Sequence, residues 1–247
     1  MDLAGKTALV TGGAVRLGRG LCEALAAAGC NVVVHCRDSR AAAAALTAEL
    51  RQAGVHAWTV AGDLRGEMRC ARMVAAARRC AGQLDFLINN AAVFHLGRVA
   101  DSGEGAWRET LDVNLLAPVF LTRAFARAPA ARCVVNVLDR RITGSAPGCL
   151  AYLLSKQVLA AFTRTAALDL APRVRVNAVA PGAVLGRAPD DQRAAREPAG
   201  RIPLERRPTA AEVAAAVLYL LGAEAVTGQT IFVDGGQHLQ GSGGGSG

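Results

Sequence analysis

The stretch TALVTGGAVRLG, running from Thr7 to Gly18, decides how the rest of the chain is read. Thr7–Thr11 is a short β-rich run, and a helical pattern begins at Arg16 after a turn that holds Gly12 and Gly13. Glycines at 12 and 18 permit a tight turn and let backbone N–H groups approach a pyrophosphate at the positive end of a helix. Alone, such a turn is weak evidence, and an ordinary strand–helix connection is the plain alternative. The strand before it and the helix after it give it weight.

Outward from this turn, short apolar runs alternate with longer alanine-rich ones. Thr7–Thr11, Asn31–Cys36, Ala57–Ala61, Asp85–Asn89, Cys133–Leu138, Arg175–Val179 and Thr230–Val233 read as strands. They are dense in Val, Ile, Leu and Phe with little alternation, as expected where both faces are covered. Arg16–Ala28, Arg40–Ala53, Glu67–Cys80, Glu104–Ala128, Ala151–Leu170 and Ala210–Leu221 read as helices. Seven strands interleaved with six helices predict an α/β chain with a single-domain, Rossmann-type, doubly wound parallel sheet. That domain is expected over residues 1–240, with the Gly/Ser stretch 241–247 a flexible tail by composition. Pro181 to Pro208 lacks clear periodicity, and a long loop in a compact α/β domain is a functional lid or a disordered excursion.

The bulk composition excludes several classes. Across 247 residues, 52% are hydrophobic and 19% charged, enough for a buried core and too few charges for disorder. The net charge of +8 would suit nucleic acid, but the arginines are scattered, aromatics are only 4%, and there is no long basic run. Anionic small molecules suit that charge better. The seven cysteines, at 22, 30, 36, 70, 80, 133 and 149, are odd in number and form no CxxC pair, so they read as reduced thiols of a cytoplasmic protein. The four histidines show no metal-ligand spacing, so no metal is expected. The opening Met-Asp-Leu-Ala-Gly-Lys does not read as a signal peptide, and no apolar run reaches the ~18 residues of a membrane span, so a soluble protein is expected.

Candidate chemistry lies in Tyr152-Leu-Leu-Ser-Lys156. At spacing i and i+4 on a helix the phenol and the ammonium share one face. A cation beside a phenol stabilises the phenolate and lowers the tyrosine pKa toward working pH, as a proton donor to a reducible substrate requires. Of 28 Lys plus Arg, only Lys6 and Lys156 are lysines. In a chain that otherwise writes arginine, a compact ammonium at 156 suits two sugar hydroxyls and a phenol; an exposed helical lysine is the bland alternative. At the end of the second strand, ~20 residues beyond the glycines, an NAD-preferring site carries an acid for the ribose 2′-hydroxyl. Cys36 stands there instead, with His35 before it and Arg37 and Ser39 after it, which suits a 2′-phosphate and predicts NADPH. Asp38 either opposes that preference or caps the helix that begins near Arg40.

With these motifs in order, residues 5–236 resemble the short-chain dehydrogenase/reductases. Where that family usually has TGxxxGxG, this chain has Arg16 at the middle glycine. Asp63 resembles the adenine-binding aspartate, Asn89-Asn90-Ala91-Ala92 resembles NNAG, Asn114 matches the asparagine that holds a proton-relay water, and Pro181-Gly182 matches the segment at the nicotinamide amide. The resemblance implies a cofactor site of Gly12, Arg16, Leu17, Gly18, His35, Arg37, Ser39, Asp63, Leu64, Asn90, Ala91, Ala92, Tyr152, Lys156, Pro181 and Gly182. It also implies a homotetramer built on the Glu104–Ala128 and Ala151–Leu170 helices.

The usual catalytic serine, thirteen residues before the tyrosine, is Asp139. Together with Arg16 this resembles the pteridine reductases and the bacterial dihydromonapterin/dihydrofolate reductases, as does Ile202-Pro-Leu-Glu-Arg-Arg. Phe94 matches the aromatic that sandwiches the pterin ring. The implied activity is NADPH-dependent reduction of a pterin C=N bond. Asp139, Tyr152, Lys156 and Asn114 are the expected catalytic residues, and Arg16, Phe94, Asp139 and Tyr152 the expected substrate contacts. Burial is expected to raise the Asp139 pKa and make it an acid. The structural alternatives are a capping or Arg140/Arg141-paired carboxylate at 139 and plain lid packing at Phe94. A ketone or 3-oxoacyl reductase and a non-catalytic NADP(H) sensor are the competing functions. Arginines 187, 193, 196 and 201 are candidate contacts for a folate glutamate tail.

Overall fold

The computed structural model describes residues 2–184 and 202–240. Among them, seven parallel strands form one sheet in the order β3-β2-β1-β4-β5-β6-β7. The strands are β1 (Thr7–Val10), β2 (Asn31–Cys36), β3 (Ala57–Ala61), β4 (Phe86–Asn89), β5 (Cys133–Val137), β6 (Arg175–Pro181) and β7 (Thr230–Val233). The helices are α1 (Arg16–Ala27), α2 (Arg40–Gln52), α3 (Glu67–Ala81), α4 (Glu104–Leu111), α5 (Ala117–Ala126), α6 (Leu150–Asp169) and α7 (Ala210–Gly222). This is the doubly wound sheet expected from the sequence. Arginines 187, 193, 196 and 201, the candidate folate-tail contacts, and residues 241–247 lie outside the described residues.

Strand composition explains why both faces are covered. On β1, Ala8 and Val10 enter one core and Leu9 the other; on β4, Phe86 and Ile88 face one side and Leu87 the other. The first core packs Leu21, Leu25, Leu46, Val213, Val217 and Leu220 from α1, α2 and α7. The second packs Met73, Val74, Leu121, Phe125 and Ala166 from α3, α5 and α6. Apolar residues at consecutive positions thus feed two cores with the period-2 alternation of a strand. A capping box starts α7: the Thr209 Oγ1 accepts from the Glu212 N–H at 3.2 Å, and Glu212 Oε2 accepts from the Thr209 N–H at 2.8 Å.

One element departs from expectation. The span read as a single helix from Glu104 to Ala128 is α4 and α5 joined by a π-helical turn, Asp112–Leu116. The Ala117 N–H reaches Asp112 O, five residues back, and Pro118 has no N–H for the carbonyls before it. The turn carries the candidate Asn114. Short 3-10 turns at Arg140–Thr143 and Gln237–Gln240 were also not anticipated.

Candidate active site

The order β3-β2-β1-β4 reverses direction between β1 and β4, and a crevice opens at the carboxyl ends of the strands there, as in other open α/β sheets. A cavity of about 400 Å³ occupies it. Its lining includes Gly12, Arg16, Leu17, Gly18, His35, Arg37, Ser39, Asp63, Leu64, Asn90, Ala91 and Ala92, twelve of the expected cofactor residues. Gly12 has φ +61°, and a Cβ on Gly18 would meet Gly12 O at 2.0 Å, so only glycine lets the two turns come this close. Asn90 ties the end of β4 to the glycine turn: its Nδ2 donates to Thr11 O at 2.9 Å and to Gly12 O at 3.1 Å. Thr11 Oγ1 accepts the Asn90 and Ala91 N–H groups at 2.9 and 3.0 Å.

Two observations suit the crevice to a dinucleotide. Helix α1 opens onto it with no side-chain cap at Val15 and no acid in its first turn, so its positive end favours an anion. The glycines remove the side chains that would fill the approach. His35 serves differently from the expected contact, since both its ring nitrogens are engaged. Nδ1 accepts from the Gly12 N–H at 3.1 Å, which leaves the proton on Nε2 to donate to Gly62 O at 3.0 Å. Burial depresses its pKa and keeps the ring neutral, outweighing the opposing Gly62 bond and Asp63 charge. The histidine therefore fixes the glycine turn against the end of β3.

Several polar residues at the rim have protein partners. Arg37 Nε donates to Asp38 Oδ2 at 2.6 Å, and its Nη1 lies 3.4 Å from Glu109 Oε1. Asp38 therefore pairs with the arginine next to it, and no side-chain bond caps α2 at Ser39. Asp63 accepts from Arg65 and Arg69, and the Arg65 hydrogen bond leads the interactions that lower its pKa.

The other four cofactor candidates lie outside this cavity, along the same edge of the sheet. Pro181 ends β6, and the Gly182 N–H donates to Val233 O at 2.9 Å. Lys156 Nζ donates to Val137 O at 2.7 Å, at the end of β5. Burial lowers the Lys156 pKa to about 8, with the nearby Asp139 charge opposing it.

Around Tyr152 the structure assembles the expected cluster and corrects its electrostatics. The Tyr152 hydroxyl donates to Asp139 Oδ2 at 3.1 Å. Phe94 sits edge-on to the Tyr152 ring at 4.7 Å between centroids. The loop carrying it is pinned to the start of α6, with Gly97 N donating to Gly148 O and Leu150 N to Gly97 O. Asp139 is also the paired and capping carboxylate that the structural alternative described. It caps the 140–143 turn by accepting the Arg141 N–H, and takes two bonds from the Arg141 guanidinium.

The expectation of a raised Asp139 pKa is therefore overturned. Burial alone would raise it, but the Arg141 hydrogen bonds and charge, with the Tyr152 bond, carry it below the ordinary carboxylate value. The expected depression of the tyrosine pKa is reversed too. Burial and the Asp139 charge push it well above the ordinary value, and the Lys156 ammonium lies 5.9 Å from the ring centroid. In this arrangement Tyr152 bears the proton and Asp139 the charge.

The Asn114 side chain holds the loop above it, accepting from the Val93 N–H at 2.8 Å and donating to Val93 O at 2.9 Å and to Ser155 Oγ at 3.3 Å. Arg141, absent from the expected site, was named from the sequence only as an alternative partner of Asp139, two residues before it.

Comparison with known proteins agrees with this fold. A family model described as enoyl-(acyl carrier protein) reductase matches residues 13–238. Pteridine reductase 1 of Leishmania tarentolae is 34% identical, over 94% of this chain and 96% of its own length. Cyclopentanol dehydrogenase of Comamonas testosteroni is also 34% identical, over 94% and 96%. The FolM alternative dihydrofolate reductase 1 of Brucella canis, solved in complex with NADP, superposes with a TM-score of 0.90 at 35% identity over 96% of each chain. The chain belongs to the short-chain dehydrogenase/reductase family. It is an oxidoreductase of that family, similar to pteridine and dihydrofolate reductases and also to dehydrogenases of other substrates.

Proposed function

We propose that this chain uses NADPH to reduce a dihydropterin-type substrate, such as a dihydrobiopterin, dihydromonapterin or dihydrofolate, to its tetrahydro form. The observation that carries the reading is the Tyr152–Asp139 hydrogen bond beside the Phe94 ring. An aspartate stands where a ketone reductase needs a neutral hydroxyl, and beside it is an aromatic ring, the kind of side chain that recognises a flat heterocycle. The relatives named for pteridine and dihydrofolate reduction support it.

In this reading the α1 N–H groups and Arg16 hold the pyrophosphate, Arg37 and Ser39 meet the 2′-phosphate, and Asp63 and Leu64 flank the adenine. Asn90, Ala91 and Ala92 line the groove, Pro181-Gly182 faces the nicotinamide amide, and Lys156 holds the ribose. When bound, NADPH supplies the hydride. Phe94 orients the pterin face, Arg16 bridges phosphate and substrate, and Tyr152 delivers the proton to the ring nitrogen. Asp139 holds the phenol in place. We also place the protein in a homotetramer through α4–α5 and α6, where Leu116, Leu154 and Val158 stand exposed.

NADPH consumption measured with dihydrobiopterin, dihydrofolate and an acetoacetyl thioester side by side tests the substrate class. Pterin turnover with at least about tenfold higher kcat/KM, lost in Asp139→Ser, is expected. Preference for the thioester would instead place the chain with the ketone reductases, a reading its equal identity to cyclopentanol dehydrogenase keeps in view.

A further inference from the structure

We infer that Arg141 is the positioning residue that keeps Asp139 a carboxylate and aims it at the Tyr152 hydroxyl, a role that deepens and rests on the pterin-reducing reading. A carboxylate offers about four lone-pair positions. Oδ1 of Asp139 accepts the Arg141 backbone N–H and its Nε–H, each at 2.9 Å. Oδ2 accepts the Arg141 Nη2–H at 2.8 Å and the Tyr152 O–H at 3.1 Å. All four positions are filled, three of them by one residue, so a proton arriving from solvent at either oxygen would have to displace an existing bond. Only a planar guanidinium meets both oxygens in this way; an ammonium is a point charge.

The fork is itself held. Arg141 Nη1 lies 3.7 Å from Cys149 Sγ, and Cζ sits 5.7 Å from the Phe94 centroid and 5.5 Å from that of Tyr152. The guanidinium is thus seated against both rings that define the proposed substrate site, and the Asp139 side chain is only 14% exposed. The groups facing the carboxylate are Arg141 from its own turn and Tyr152 and Lys156 from α6, with Cys149 beyond the guanidinium. The C-terminal turn touches this segment through the Thr143 hydroxyl on His238 O, but the His238 ring is committed to Asp234 and stacked on Phe232. Without the Arg141 guanidinium, a largely buried carboxylate would keep only the phenol and the backbone N–H of residue 141 as partners, and burial would favour its protonated form. Two acids would then compete for one hydrogen bond, and the phenol would lose its fixed orientation.

Carbon-13 NMR of aspartate-labelled full-length protein with NADP bound, with Asp139→Asn identifying the signal, reads the charge of Asp139 directly. In the wild type it should titrate below the ordinary carboxylate range. In Arg141→Gln it should move up by more than about one pH unit, and Arg141→Lys should fall between, its charge retained and its fork lost. With dihydrobiopterin and saturating NADPH, the acid limb of the kcat profile should move with the titration, kcat should fall by about tenfold or more, and the Kd for NADPH should stay within about twofold. An Asp139 titration unchanged in Arg141→Gln, or an Arg141→Lys titration identical to wild type, overturns the role. So does a lower kcat with an unmoved acid limb, which is the signature of simple structural damage. A wild type that turns over no pterin removes the substrate reading, while the NMR titration still decides the role of Arg141.

Discussion

Arg16 has φ +53°, a backbone conformation that glycine adopts freely and other residues adopt at a cost of ~1–2 kcal/mol. The family pattern puts its middle glycine at this position, so the sequence already marked the site; the strain was visible only in the backbone. A strained arginine at the mouth of the crevice fits a residue kept for what its side chain binds. Arg16→Gly should raise the stability by about 1 kcal/mol, or about 3 °C in Tm, and weaken NADPH binding about tenfold or more. Thermal unfolding and fluorescence titration read the two effects; loss of stability with unchanged affinity would refute the reading. Tyr152, Lys156 and Asp139 were legible because their spacing is a motif. Their charges were not, since a sequence does not say whether burial or a partner dominates. Lys156 illustrates this, its pKa lowered to about 8 by burial. Below that pH it is an ammonium able to donate to ribose hydroxyls, and an anionic dinucleotide favours that form, so binding should take up protons. NADPH affinity should therefore be greatest below about pH 8 and fall as pH rises through it, by up to about tenfold per unit. Calorimetry in buffers of different ionisation enthalpy measures the uptake. Flat affinity from about pH 7 to about pH 9 would show that Lys156 does not change charge on binding.

At the level of elements, strands were easy to find because both faces are apolar, and their ends moved by only a residue or two. β6 runs on to Pro181, which brings Pro181 and the Gly182 that follows it to the carboxyl edge of the sheet. What periodicity missed were the turns that carry chemistry. The π turn at Asp112–Leu116 keeps the helical pattern nearly intact, and its only sequence signal is Pro118, four residues after Asn114. The 3-10 turn after Asp139 is four residues long, too short for a periodic signal, yet it places Arg141 against the carboxylate. On α6, Leu154 and Val158 are one turn apart and exposed, Val158 at 48%, forming an apolar strip on a helix expected to meet a partner subunit. Val158→Glu should reduce the species seen by light scattering from a tetramer to dimers or monomers, with the circular dichroism spectrum unchanged. An unchanged molecular mass would move the interface elsewhere.

For the whole molecule, topology does most of the positioning. The reversal between β1 and β4 opens the crevice, the carboxyl ends of β1 to β4 supply its floor, and the ends of β5 and β6 bring Lys156 and Gly182 to the same edge. This frame is shared by relatives that act on unlike substrates, so the fold alone does not choose between a pterin and a ketone. In the proposed reading that choice falls on four side chains, Phe94, the Asp139–Arg141 pair and Tyr152, which come from three segments that meet only on folding. Among the described residues no helix is long and apolar enough to cross a membrane.

A crystal structure of the full chain with NADP and methotrexate tests the central claim most directly. The pteridine ring should lie flat on Phe94, drawing that ring away from its edge-on contact with Tyr152, with a ring nitrogen within hydrogen-bonding reach of the Tyr152 hydroxyl. A pteridine bound elsewhere, or a Phe94 still packed edge-on against Tyr152 with the ligand outside, would contradict it.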